Sequence, residues 1–191
     1  MRPYKDQEII ARVEGLDTFE GWKPGYYDIW VRSKADLYDR FDDRAFLYVV
    51  KKKGDTPKFL HARTGTSNAG SFGLLHFRTY NREGCAVLKS DTIVYGSHAY
   101  GLHKGKPAYR QVKGFPYYRD NDMDHKAEEI GPVHNDIIGA NIHRASTLSW
   151  FIKNWSVACL VTQQLAFFLA WLGILIKAGK PPLNVAILKE F

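Results

Sequence analysis

The chain has 191 residues, which is the length of one domain, and it carries a net charge of +7. Hydrophobic residues make up 45% of it and charged residues 25%, which is the composition of a packed globular protein. The positive charge favours a polyanionic partner, but there is no dense basic tract beyond Lys51–Lys53, so we do not expect nucleic-acid binding. Two cysteines without a CxxC pair exclude a disulfide scaffold and argue against a structural zinc site.

Runs of aromatic and β-branched residues separated by turn residues dominate the chain after a polar N-terminal extension, residues 1–25. The predicted strands are Tyr26–Arg32, Ala45–Lys51, Lys58–Arg63, Cys85–Leu88, Thr92–Tyr95, Ala108–Val112, Phe115–Arg119, Asp136–His143 and Asn184–Glu190. We expect Ala108–Val112 and Phe115–Arg119 to pair as a hairpin. Residues 64–84 are rich in Gly, Ser, Thr and Asn, and we expect them to form a long loop.

One apolar segment differs from these strands, because Leu165–Ile176 contains no charged residue. It is followed by Gly179, Pro181 and Pro182, which end helices. The segment is too short to span a bilayer, so we expect a buried core helix, with docking on a membrane as the alternative. The predicted fold class is therefore mainly β with a C-terminal apolar helix, in a single domain of residues 1–191.

The segment from Gly139 to Gln163 contains residues that could carry out covalent catalysis. His143 and Cys159 are 16 residues apart in it, and Ser156 lies three residues before the cysteine. A thiol is a useful nucleophile only as thiolate, and an imidazole can take its proton and return it near neutral pH. A strand that carries the histidine and a turn that carries the cysteine could bring the two within hydrogen-bond reach. The alternative is an inert thiol buried beside the apolar helix.

Several motifs occur in a fixed order between about residue 26 and residue 163. They are Phe41-Asp42-Asp43, Gly101-Leu102-His103-Lys104-Gly105, Arg119-Asp120-Asn121-Asp122, Asn141-Ile142-His143-Arg144 and Trp155-Ser156-Val157-Ala158-Cys159. The set resembles the catalytic domain of the L,D-transpeptidase family, in particular its phage and prophage cell-wall members. The resemblance implies an L,D-transpeptidase-like β-sandwich or barrel. Three features depart from that family: Ala158 replaces the glycine before the cysteine, no arginine follows Cys159, and Arg144 stands where the family usually has glycine after the histidine.

The resemblance also implies a mechanism. Cys159 would attack an amide carbonyl of a wall stem peptide and form a thioester, with His143 as base and then acid. Ser156 would hold the turn or orient the site, backbone N–H groups of Ala158 and Cys159 would form an oxyanion hole, and the dipole of the following helix would favour thiolate. The expected catalytic residues are Cys159, His143 and Ser156, and the expected substrate-binding residues are Asn141, Arg144, Trp155, Ala158, His103 and Arg119.

The expected function is a cysteine-dependent peptidoglycan peptidase of the endolysin type. We expect a monomer. No signal peptide is visible, so we expect the protein to be made in a host cytoplasm and to act on the cell wall after release. Two alternatives stay open: a transpeptidase that cross-links or exchanges wall peptides, and a non-catalytic wall-binding or virion module. We expect no cofactor and no metal, because the histidines lack HxxxH or HExxH spacing and Asp120–Asp124 lacks the later residues of a calcium loop. Cys85 has no histidine near it in the sequence, and we expect it in the core.

Overall fold

The computed structural model describes residues 4–146 and 148–191, and the architecture is mainly β. The strands of this described part are β1 (Gly25–Arg32), β2 (Asp43–Val50), β3 (Lys58–Thr66), β4 (Cys85–Leu88), β5 (Thr92–His103), β6 (Lys106–Gln111), β7 (Phe115–Asp120), β8 (His134–Asp136), β9 (Ile142–Arg144), β10 (Leu160–Thr162) and β11 (Leu183–Lys189). Its α-helices are α1 (Asp6–Glu14), α2 (Ser71–His76) and α3 (Leu165–Lys177), and a single 3₁₀ turn (Phe77–Thr79) follows α2.

Eight strands close into a barrel in the order β1-β11-β5-β6-β9-β10-β3-β2. Most neighbours are antiparallel, but β1 pairs in parallel with β11, and β9 pairs in parallel with β10. The remaining strands form a separate antiparallel sheet in the order β4-β7-β8. Side chains of that small sheet join the core formed by the inner residues of the barrel. Closure of the barrel leaves its strands without free edges.

The alternation of side chains along β1 divides the core in two. Trp30 faces the barrel interior, whereas Ile29 and its neighbours two residues away pack in a second cluster outside. That second cluster includes Ile9 and Val13 of α1, both fully buried. The predicted polar extension thus contains an amphipathic helix that covers one outer face of the barrel, which the sequence analysis did not identify.

The apolar segment is a helix, as the sequence predicts, and α3 runs one residue further than expected, to Lys177. Its buried residues are Phe168, Trp171, Leu172 and Leu175, which join the barrel core. Its other side is exposed and carries Phe167, Leu169 and Ile176. The prediction of a buried core helix therefore holds for one side only. Within the described ranges, no helix combines the length and apolar content needed to cross a bilayer.

A buried ion pair lies inside the barrel, where Arg63 of β3 donates two hydrogen bonds to Asp28 of β1, at 2.8 and 2.6 Å. The indole N–H groups of Trp30 and Trp171 also donate to that carboxylate. The Arg63 guanidinium packs against both indole rings and donates its Nε proton to the hydroxyl of Thr162. Each charge is thus compensated and hydrogen-bonded, which a buried ion pair requires.

The predicted long loop at 64–84 is wrong, because this stretch contains the end of β3, then α2 and the 3₁₀ turn. Its glycines serve close packing rather than chain flexibility. A Cβ atom at Gly70 would overlap the Lys153 carbonyl, and one at Gly73 would lie 2.8 Å from Ala69 Cβ. Small residues allow α2 to approach the segment before Cys159 closely.

Two predicted strand arrangements are also wrong. β6 pairs with β5 and β9 in the barrel, whereas β7 pairs with β4 and β8 in the small sheet, so the predicted hairpin does not form. The predicted strand Asp136–His143 is divided into β8 and β9. Gly139 lies between them with a φ of +79°, a left-handed conformation that interrupts a strand. The chain crosses here from the small sheet to the barrel.

Candidate active site

His143 and Cys159 come together because β9 and β10 are parallel neighbours. His143 lies in the middle of β9, and Cys159 immediately precedes β10, which matches the predicted strand-borne histidine and turn-borne cysteine. A third residue joins them from the end of β5. A ring nitrogen of His103, a ring nitrogen of His143 and the sulfur of Cys159 all lie within 4.8 Å of one another.

The hydrogen bonds of His143 identify its tautomer. Nδ1 lies 2.9 Å from the carbonyl oxygen of Arg144, which can only accept, so Nδ1 carries the proton. Nε2 therefore presents a lone pair. The side chain is only 7% exposed, and Nε2 has no hydrogen-bond partner among the described residues. A buried acceptor without a partner is costly, and such atoms are concentrated at functional sites.

Asn141 fixes the neighbouring imidazole in the opposite tautomer. The backbone N–H of Gln111 donates to Asn141 Oδ1 at 3.0 Å, so the amide must point its Nδ2 at His103 Nδ1, also at 3.0 Å. His103 Nδ1 accepts that bond, and the neutral ring keeps its proton on Nε2. The rings of His103 and His143 are stacked, with centroids 4.5 Å apart. Asn141 is itself buried, so it positions His103.

Burial keeps both members of the candidate pair neutral. It raises the pKa of the Cys159 thiol to about 11, against the opposing effects of the Asn141 backbone N–H and the charge of Lys104. Burial also lowers the pKa of His143 to about 4, and the positive charges nearby act in the same direction. The thiol donates to the Gly139 carbonyl at 3.5 Å. The resting site thus holds a thiol and a neutral imidazole.

The expectation of a helix-polarised thiolate is therefore wrong. α3 begins at Leu165, and the whole of β10 lies between Cys159 and that helix. A helix dipole acts only within about its first turn, and a strand of this length moves the chain about 10 Å away. No offsetting effect outweighs burial, which is why the thiol pKa rises.

Ser156 and Ala158 shape the turn that carries the thiol. Ser156 is fully buried, and its hydroxyl donates a hydrogen bond to the Cys159 carbonyl at 2.7 Å. Of the two roles expected from the sequence, holding the turn and orienting the site, this contact fits the first. Ala158 is not among the described residues with positive φ, so alanine causes no strain where the L,D-transpeptidase motif has glycine. Its side chain packs against the barrel core.

Gln111, at the end of β6, holds the 137–141 loop, and the sequence analysis did not identify it. Its side-chain oxygen accepts from the backbone N–H groups of Ile138 and Ala140, both at 3.0 Å. Its amide donates to the carbonyls of Lys113 and Asp136, both at 2.9 Å. The loop between these contacts contains Gly139, whose carbonyl accepts the hydrogen bond from the Cys159 thiol. Gln111 therefore fixes one wall of the site through a fully bonded amide.

A cavity of about 200 Å³ opens beside the imidazole pair. It is lined by His103, Lys104, Lys106, Pro107, His143, Arg144, Ala145, Asn154 and Trp155. Three of the predicted substrate-binding residues, His103, Arg144 and Trp155, are thus on its wall. Ala158 and Arg119 are not. Arg119 lies on β7 of the small sheet and donates to the carbonyl of Gly84.

Lys104 and Lys106 are lining residues that the sequence analysis did not select. Lys104 and Gly105 form the two-residue connection of the β5–β6 hairpin, and Lys106 is the first residue of β6, where it pairs with His103. Lys104 and Gly105 both have positive φ, at +49° and +73°, as a type I′ turn requires. The Lys-Gly dipeptide after an aromatic-rich run is a hairpin signal, and it was available in the sequence.

His103, His143 and Cys159 have the donor types of a zinc or copper site, but their arrangement fits acid–base chemistry better. Imidazole lone pairs lie in the ring plane, and the two ring planes are only 13° from parallel, so they do not converge on one point. His103 Nδ1 already accepts from Asn141, and its Nε2 holds the proton. Binding a metal would require the His103 ring to reorient.

Comparison of the chain with protein-family models, with curated proteins and with solved structures finds no match. The L,D-transpeptidase-like fold therefore stays a prediction.

Proposed function

We propose that this protein is a cysteine peptidase of the bacterial cell wall that cleaves an amide bond in a peptidoglycan stem peptide or cross-link. The observation that carries the proposal is the unpartnered, buried Nε2 of His143, a residue that lines a cavity and has a ring nitrogen within 4.8 Å of the Cys159 sulfur. The order of the sequence motifs and the net charge of +7 support the choice of the anionic wall as substrate.

The neutral resting pair implies that proton transfer accompanies attack. Cys159 Sγ attacks the amide carbon while the S–H proton leaves its hydrogen bond to the Gly139 carbonyl and is transferred to His143 Nε2. The tetrahedral intermediate then expels the amine, which takes that proton from His143, and a thioester remains on sulfur. Water loses a proton to Nε2 as it attacks the thioester, and the thiol recovers the proton when the carboxylic acid leaves. Acylation and hydrolysis each return the imidazole to its resting tautomer at their end.

His103 has a separate role in this mechanism. Its Nε2–H is the free donor of the pair, because its Nδ1 is occupied by Asn141. Burial and the charges of Lys104 and Arg110 lower its pKa, so the ring stays neutral. A neutral donor at this position stabilises the negative charge that develops on the substrate oxygen during attack. The two stacked rings thus divide the work, one as base and the other as hydrogen-bond donor.

Mass spectrometry of digested sacculi tests this proposal. The wild-type protein is expected to release fragments with new free amino and carboxyl termini, and Cys159→Ala is expected to lower the rate by at least about 1,000-fold. The matched control is Cys85→Ser, because Cys85 is buried in a different cluster with Leu74 and Phe77, and a serine hydroxyl can keep the hydrogen bond that its thiol donates to the Val157 carbonyl. It should keep the activity.

The other outcomes identify the alternative functions. Products in which a new amine has replaced the leaving group, without free carboxyl termini, would indicate a transpeptidase that uses the same thioester. Unchanged sacculi that nevertheless retain the protein would overturn the enzymatic proposal in favour of a wall-binding module.

A further inference from the structure

The cavity beside the imidazole pair is strongly positive. Lys104, Lys106 and Arg144 are on its wall, and no Asp or Glu lines it. None of the three cations forms an ion pair within residues 4–146 and 148–191. Arg144 donates to the carbonyl of the adjacent Ala145, which leaves most of its donors unused. Unpaired cations around a concave surface favour an anionic ligand.

We infer that this cavity is a carboxylate subsite, which binds one substrate residue with a free carboxylate next to the amide attacked by Cys159. The inference rests on the proposed function and names the chemistry of its substrate. A planar carboxylate can take paired N–H donors from a guanidinium and further donors from the two ammonium groups. Trp155 and Pro107 supply apolar walls that weaken the competition from water.

The size of the cavity limits the ligand. Cavities that enclose drug-sized molecules are about 300–1,000 Å³, so a volume of about 200 Å³ suits a single amino-acid residue with its flanking amide. His143 forms part of the same wall, its Nε2 has no described partner, and one of its ring nitrogens lies within 4.8 Å of the Cys159 sulfur. A carboxylate bound by the cations would therefore place the neighbouring amide beside His143, on the side of the site next to the Cys159 sulfur.

A binding experiment on the Cys159→Ala protein tests the subsite without turnover. The probes are N-acetyl-D-alanine and N-acetyl-D-alaninamide, which have nearly the same shape and differ in the carboxylate charge. Binding is followed by NMR through the indole N–H signal of Trp155, which is identified by its loss in Trp155→Phe. The acid should bind at least about 10-fold more tightly than the amide, because hydrogen bonds to charged groups are the stronger ones.

Charge removal on the wall provides the matched comparison. Lys104→Gln, Lys106→Gln and Arg144→Gln should each reduce the preference for the acid, and Arg144→Lys should restore only part of it. Lys58→Gln is the control, because Lys58 is an exposed lysine at the start of β3 and does not line the cavity. It should leave the preference unchanged.

The outcomes separate this inference from the proposed function. Equal binding of the acid and the amide would overturn the subsite even if the wild-type protein cleaves sacculi. Displacement of the acid by inorganic phosphate at the same concentration would also overturn it, because the cavity would then be a general anion site. A clear preference for the acid in a protein that leaves sacculi intact would support the subsite and contradict the peptidase.

Discussion

His98 and His143 are both buried histidines whose pKa is lowered to about 4 by burial, but they differ in their hydrogen bonds. His98 Nε2 donates to the Ala140 carbonyl at 2.7 Å, and its Nδ1 lies 2.8 Å from the Ser97 hydroxyl. His143 has only its Nδ1 bonded, and its Nε2 has no described partner. Burial and pKa therefore do not distinguish the two residues. The unpartnered acceptor does, and it supports His143 as the base of the proposed mechanism.

The buried ion pair inside the barrel is fully hydrogen-bonded, as His98 is. Asp28 accepts from Arg63, Trp30 and Trp171, so the carboxylate has a donor on both oxygens. A fully bonded network stabilises one arrangement of the core and has no spare atom for chemistry. A fully bonded network thus marks this part of the scaffold, whereas the candidate site combines the unpartnered acceptor of His143 with the donor of His103 and the thiol of Cys159.

The largest effect on the scaffold side of this comparison is expected for Arg63→Met. It leaves the Asp28 carboxylate buried without a counter-charge, and removal of one member of a buried pair costs about 3–5 kcal/mol. Urea unfolding followed by circular dichroism measures the loss. The double variant Asp28→Asn with Arg63→Met should recover part of it, because no buried charge remains. Equal losses in the single and the double variant would show that packing, rather than charge, holds this part of the core.

The pH dependence of stability gives the next effect. The pKa of His98 in the folded protein is about 4, below its ordinary value of 6.5. The unfolded chain therefore binds the proton more readily, and the stability that His98 contributes is present above pH 6.5 and is lost as the pH falls towards 4. The slope is about 1.4 kcal/mol per pH unit for one such group.

The variant His98→Gln isolates this contribution, because a glutamine amide can still donate to the Ala140 carbonyl but does not titrate. The stability advantage of the wild-type protein over this variant should shrink between pH 6.5 and pH 4, as measured by urea unfolding at each pH. His143 and the buried carboxyl groups titrate in both proteins and cancel in the difference. A constant difference across this range would show that the pKa of His98 is not lowered in the folded protein.

Leucine substitutions compare the two histidines directly. His98→Leu leaves the Ala140 carbonyl and the Ser97 hydroxyl without their partner, which should cost about 1–3 kcal/mol. His143→Leu also removes an unsatisfied nitrogen, so its cost in stability should stay below about 1 kcal/mol although activity is lost. Thermal unfolding and sacculus digestion measure the two properties. A larger stability loss for His143→Leu than for His98→Leu would contradict the assignment of His98 to the scaffold and His143 to the site.

Residue patterns predicted the strands that have clear hydrophobic alternation. The predicted strand Tyr26–Arg32 differs from β1 by one residue at one end, and Asn184–Glu190 differs from β11 by one residue at each end. Both were found because they are buried and rich in aromatic or β-branched residues. The pairing of strands that are distant in the sequence could not be predicted from residue patterns in the same way. Phe115–Asp120 follows β6 after a short turn but pairs in another sheet, since pairing depends on contacts distant in sequence.

The site was predicted in part for the same reason. The pair His143 and Cys159 follows from a local segment, because adjacent parallel strands bring it together. His103 was selected only as a substrate-binding residue, and its partnership with Asn141 depends on β6, which links β5 to β9. The ionisation state was predicted wrongly, because burial of a thiol is a property of the whole barrel and a strand, not a helix, follows Cys159.

The smallest effect is expected at the boundary between scaffold and site, at Ser156. Its hydroxyl is fully buried and donates to the Cys159 carbonyl, so Ser156→Ala leaves that carbonyl without its donor and should cost about 1 kcal/mol. Ser149→Ala is the matched control, because Ser149 makes the same kind of bond to the Phe151 carbonyl on the exposed surface, where water replaces it. Its cost should stay below about 0.5 kcal/mol.

Measurements of activity then show whether Ser156 belongs to the scaffold or to the reactive cluster. If the hydroxyl only holds the turn, Ser156→Ala lowers kcat by displacing the thiol from His143, and Ser156→Thr, which keeps the donor, restores most of it. Restoration by threonine in both stability and kcat would place Ser156 with the satisfied scaffold groups. A loss of kcat that threonine does not restore, at unchanged stability, would contradict a turn-holding role. It would extend the reactive cluster beyond the two histidines and the cysteine.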